Sequence, residues 1–108
     1  MAISERERKR YEARAKVAKA LAHPSRLYLL DLLRAGECCV GDLTEKVGAD
    51  QSTVSKHLAI LKEAGLVTAR KEGAMSYFRV CCDCLGDFFC CLESVVKADV
   101  ADRREAVK

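Results

Sequence analysis

Long apolar runs are missing from this 108-residue chain. No stretch approaches the about 18 consecutive apolar residues that a bilayer-spanning helix needs, so no membrane role is expected. The opening segment Ser4-Glu5-Arg6-Glu7-Arg8-Lys9-Arg10 is charged where a secretory signal would carry its apolar core, which argues against export and for a cytoplasmic location. Linkers, internal repeats and low-complexity tracts are also lacking, so residues 1–108 read as one domain. There is no phosphate-cradling glycine loop and no Cys/His pairing of the kind thiol enzymes use, so catalysis is not expected.

What is present describes a globular protein: 50% of residues are hydrophobic and 32% charged. A domain of this size buries only about two-thirds of its unfolded-chain surface, so oligomerisation is a natural source of added stability. The formal net charge of +3 permits nucleic-acid binding without requiring it. The seven cysteines are the anomaly. Their odd number and the absence of a signal segment argue against a disulfide framework and leave metal binding, redox chemistry or plain burial.

The periodicity predicts five helices and one hairpin. Residues 4–21 are rich in good helix formers, with a narrow apolar stripe at Val17, Ala18 and Leu21. His23-Pro24-Ser25 breaks that helix and starts a strongly apolar one through Leu27, Leu29, Leu30, Leu32 and Leu33 to Gly36. Val40, Leu43 and Val47 mark a short amphipathic helix. Across 51–64, Val54, Leu58 and Leu61 face inward, and Ser52, Thr53, Ser55, Lys56 and His57 are left facing outward. Residues 66–70 and 75–80 have strand character around a turn at 71–74. A last helix runs from about Cys84 to Ala101 on Leu85, Phe88, Phe89, Leu92, Val95 and Val96, followed by charged residues expected to fray.

Two short helices with a polar outer face on the second, then a hairpin, describe a helix-turn-helix with a wing. Gln51 and Lys56 have the reach and donors for base edges. Ser52, Thr53 and Ser55 suit phosphates or bases. Arg70, Lys71 and Arg79 on the hairpin are available for phosphates. Singly, each such residue is ordinary surface; the order of the elements carries the reading.

The stretch from Ala20 to Leu30, ALAHPSRLYLL, resembles the opening signature of ArsR-family repressors. Residues 51–67, QSTVSKHLAILKEAGLV, resemble their recognition helix nearly residue for residue. Arg70-Lys71-Glu72-Gly73 with Tyr77-Phe78-Arg79-Val80 resembles their wing. The resemblance implies a mainly α, winged helix-turn-helix homodimer held largely by its first and last helices. It implies binding to an operator that is an imperfect inverted repeat of double-stranded DNA, with no cofactor required, and release when an inducer binds. Within this pattern His57 is expected to be structural or to contact DNA rather than ligate metal. With two histidines in the chain, the His-rich zinc site that some members carry on the last helix is not available.

Arsenic-sensing members carry Cys-Val-Cys before the recognition helix. Here Cys39 matches the first position and Gly41 stands at the second, so the match stops at Cys39. Cys81, Cys82 and Cys84 are the stronger candidate ligands, three thiols within four residues near a helix N-terminus, where thiol pKa values fall and ligation is favoured. Soft thiolates select As(III) or a soft metal ion as inducer. Cys84 and Cys91 share a helical face but lie about 10 Å apart along it, and Cys90 and Cys91 point about 100° apart. They would join such a site only with help from the 81–84 turn, Cys38, Cys39 or a second subunit. Sensing of oxidants or reactive sulfur is the alternative; a structural zinc site is another. Cys81-x-x-Cys84 lacks the βαβ surroundings of a thioredoxin-like motif.

Overall fold

The computed structural model describes residues 2–107, with side chains from 2 to 104. Helix α1 (Glu5–Leu21) opens at Ser4, whose hydroxyl accepts the Glu7 N–H at 3.1 Å; the Ser-x-x-Glu spacing is that of a capping box. Only Ala20 of this helix is buried, as its narrow stripe predicts. Helix α2 (Pro24–Arg34) begins with proline at its first position, where no N–H is needed. The His23 Nδ1 caps it by accepting the Ser25 N–H at 3.1 Å. Leu29, Leu30 and Leu33 are buried at the centre of the domain.

After α2 comes a short strand that the sequence pattern did not signal, β1 (Cys38–Cys39), which leads directly into α3 (Val40–Val47). Two residues show no periodicity; only pairing with a distant strand makes them one. Helix α4 (Gln51–Glu63) follows the turn at Gly48, which takes φ 74°. Val54, Leu58 and Leu61 are fully buried, as their spacing requires. The helix ends at Gly65, φ 85°. The Leu66 N–H reaches the Leu61 carbonyl at 3.0 Å and the Gly65 N–H reaches Lys62 at 3.0 Å. This double closure is the Schellman arrangement, which needs a left-handed residue at that point.

Strands β2 (Val67–Glu72) and β3 (Met75–Val80) form the hairpin, and the sheet is antiparallel in the order β1-β3-β2. The ladder between β2 and β3 extends two residues further than expected: Lys71 pairs with Ser76 and Glu72 with Met75. Gly73, φ 62°, and Ala74 alone make the connection. A positive φ at the first of two turn residues matches the twist of the flanking strands. Helix α5 (Leu85–Val107) also outruns the expected end near Ala101. An Arg103–Asp99 pair at i,i+4, 3.3 Å, supports the added turns. One core joins Ala20, the α2 leucines, Leu43, the α4 apolar face, Leu66, Val67 and Leu85.

Candidate DNA interface and thiol cluster

Burial of Val54, Leu58 and Leu61 turns the opposite side of α4 outward, and Gln51, Ser52, Thr53, Ser55 and Lys56 are all exposed on it. The Ser52 hydroxyl donates to Asp50 at 2.6 Å, and hydrogen bonds from Ser52 and Thr53 hold the Asp50 carboxyl below its ordinary range. A cleft of about 320 Å³ separates the start of α4 from the hairpin tip; Cys39, Gln51, Ser55 and Met75 line it.

His57 departs from the outward set. It is half-buried, its ring centroid lies 4.4 Å from that of His23, and its Nδ1 is buried without a hydrogen-bond partner. Burial, then the neighbouring His23 and Arg26, push its pKa below the ordinary imidazole value. An imidazole that titrates lower when folded binds its proton more readily in the unfolded chain, so stability falls as pH drops below about 6.5. Above that pH the penalty is gone and the stability is fully present. Thermal melts should therefore show a lower Tm at pH 5 than at pH 7, and His57→Gln should reduce that difference. An equal drop in both proteins would remove His57 from this role.

The wing cations fall into two groups. Lys71 and Arg79 are exposed and form no ion pair among the described residues. Arg70 is occupied. Its Nε and Nη2 donate to the two Glu37 carboxylate oxygens at 2.9 and 2.7 Å, its Nη1 donates to Glu72 at 2.9 Å, and its guanidinium lies over the Tyr77 ring at 4.7 Å. These bonds hold the Glu37 carboxyl below its ordinary range and raise the Arg70 pKa further. Sequence reading missed Glu37 because it lies 33 residues from Arg70, a distance at which no local spacing speaks.

The cysteines divide differently from the expectation. Cys82 and Cys84 are joined in a disulfide, with Cα atoms 5.4 Å apart, and Cys81 beside them is exposed. The structure thus brings together two of the three expected ligands as a bonded pair. Among the described residues no group of three or more His, Cys, Asp or Glu is arranged to hold a metal ion. Cys39 is buried at the N-cap of α3, and Cys38 is half-buried with its thiol pushed upward by burial. Cys90 and Cys91 are both exposed, because the face of α5 nearest the core is formed by Leu85, Phe88 and Phe89. The pair at 82 and 84 occupies the joint between wing and last helix. The Cys81 N–H donates to Leu66 at 2.9 Å on one side, and the Cys84 carbonyl accepts the Phe88 N–H at 3.2 Å on the other.

A helix pair with an exposed polar second helix, followed by a two-stranded wing, defines a winged helix-turn-helix protein. Residues 23–69 match the family model described as "Bacterial regulatory protein, arsR family". An HTH-type transcriptional regulator of Mycobacterium tuberculosis is 39% identical over 88 residues, which is 82% of this chain and 39% of that protein. The chain thus spans about two-fifths of that relative's length. An arsenical resistance operon repressor of Staphylococcus xylosus is 44% identical over 63 residues, 58% of this chain and 61% of that one. Among solved structures, NolR from Sinorhizobium fredii superposes with a TM-score of 0.79 at 32% identity, covering 88% of this chain and 95% of its own. A homodimeric winged helix-turn-helix DNA-binding domain from Mycobacterium bovis gives 0.78 at 36% identity, covering 93% and 94%. The chain belongs to the ArsR family, whose members here are DNA-binding transcriptional regulators and not enzymes.

Proposed function

We propose that this protein is a homodimeric repressor that holds an inverted-repeat operator and leaves it when the thiols of the Cys81–Cys84 turn change state. The observation that carries the reading is the Cys82–Cys84 pair at the joint between wing and α5. Exposed Gln51, Thr53, Ser55 and Lys56 supply base and phosphate contacts, with Lys71 and Arg79 on the wing adding phosphate contacts. Dimerisation is supported by the apolar side chains that α5 leaves uncovered, Val95, Val96 and Val100, and by the homodimeric state of the Mycobacterium bovis domain.

The redox step balances with a peroxide as oxidant. One thiolate is oxidised to a sulfenic acid as the peroxide yields water or alcohol. The second thiol then displaces water to form the disulfide. The disulfide ties Cys82 to Cys84 and so restricts the linker between β3 and α5; release requires only that the DNA-incompetent state be preferred by the oxidised protein.

Arsenite binding by reduced Cys81, Cys82 and Cys84 is the second reading. It is favoured by three soft donors within four residues and by the similarity to an arsenical resistance operon repressor. Operator binding followed by fluorescence anisotropy separates them. Release by peroxide or persulfide, reversed by a dithiol, is the expected result. Release by stoichiometric arsenite or Cd(II) in reduced protein selects the second reading. No response to either removes thiol sensing.

A further inference from the structure

The wing carries a guanidinium that is already fully engaged before any DNA arrives. Arg70 uses all three of its nitrogens on carboxylates, two of them in a fork on Glu37 that comes from the segment between α2 and β1. Exposed ion pairs are ordinarily weak, but a bidentate fork with a second acid and a ring beneath is the geometry in which they persist. The group remains half exposed, with 51% of the Arg70 side chain accessible, so a phosphate has access to it. Arg79 stands on the same face of the sheet, and both line a depression of about 420 Å³ with Glu37 and Tyr77.

We propose, resting on the DNA-binding reading above, that Glu37 is an affinity-setting residue: it withholds Arg70 from the operator phosphates, so the wing engages DNA with fewer cations than its sequence offers. Glu37 and Glu72 together place two carboxylates around the Arg70 guanidinium, which cancels its attraction for phosphate. Lys71 and Arg79 then do the positioning. Replacing Glu37 by Gln removes the negative charge and leaves one of its two acceptor oxygens, so the fork opens and the charge of Arg70 is released.

The salt dependence of operator binding reads this directly, because each added phosphate contact steepens the slope of log K against log salt by about 0.9. For a dimer, Glu37→Gln should steepen it by about 2 and tighten binding, by up to about eightfold per added contact at 0.1 M salt on the same relation. The double variant Glu37→Gln/Arg70→Gln should return to the wild-type slope. A Glu37→Gln protein with the wild-type slope and affinity, or with weaker binding at unchanged Tm, would overturn the proposal and make Glu37 a structural tie. Wild-type protein that fails to bind operator at all would instead remove the DNA-binding reading, so the two failures are distinct. A Tm fallen by more than a few degrees transfers the test to Glu37→Ser. Its short neutral side chain removes both the charge and the fork. A steeper slope there supports the proposal and an unchanged one overturns it.

Discussion

Serine at position 84 leaves operator binding of the reduced protein within about twofold of wild type and abolishes release by oxidant. Cys84 is exposed, so its replacement disturbs no packing. Without it no disulfide with Cys82 forms, and the joint between β3 and α5 keeps one conformation in both redox states. The size of the lost response equals the coupling between site and DNA, typically 5–150-fold in affinity for systems of this kind. Cys82→Ser should behave alike in function, with some loss of stability because Cys82 packs against the core. Cys81→Ser separates the two inducer chemistries. A disulfide between Cys82 and Cys84 does not use Cys81, so oxidant still releases that variant. A three-thiolate arsenite site does use it, so arsenite no longer releases it. Anisotropy titrations of the three single variants with peroxide and with arsenite give the answer, and full oxidant-driven release of Cys84→Ser would defeat the redox assignment.

Most of the architecture is legible in the residues because it follows from periodicities that local physics imposes. Val54, Leu58 and Leu61 can be placed inward by spacing alone, and their complete burial agrees. Gly65 and Gly73 mark turns that need positive φ, and both adopt it. The failures are of one kind. Strand β1 exists only through its register with Tyr77 and Phe78, and the Glu37–Arg70 fork joins residues far apart in the chain. His57 sits in a run of outward residues, yet it faces His23, which helix phase alone does not reveal, since it lies between the buried and exposed arcs. The cysteine turn was recognisable as chemistry, but spacing does not say which two of three sulfurs meet. Local signals fix elements; contacts over long sequence separations fix what the side chains do.

Aspartate at position 96 should break the dimer and with it most of the operator affinity. Val96 is 57% exposed on α5, beside Val95 at 68% and Val100 at 43%. Toward its N-terminal end the same helix, with Leu27 and Tyr28 of α2, lines a groove of about 410 Å³ together with Phe89 and Leu92. An apolar strip of this kind on a small domain is covered by something in the working protein, and a second copy of α5 is the partner this reading assigns. In an interface formed by two copies of α5 a carboxylate at this position is buried in each protomer, and burial and like charge both oppose association. Because the residue is exposed in the single chain, folding is not the casualty: far-UV circular dichroism should be unchanged. Sedimentation should report a monomer. A monomer engages one half-site, so it forgoes the effective concentration that the second half-site supplies, a loss of about 10²–10⁴-fold on the intact inverted repeat. Its affinity for an isolated half-site should match that of wild type. A Val96→Asp protein that remains dimeric, or that binds the full operator as tightly as wild type, would place the dimer contact elsewhere on the chain.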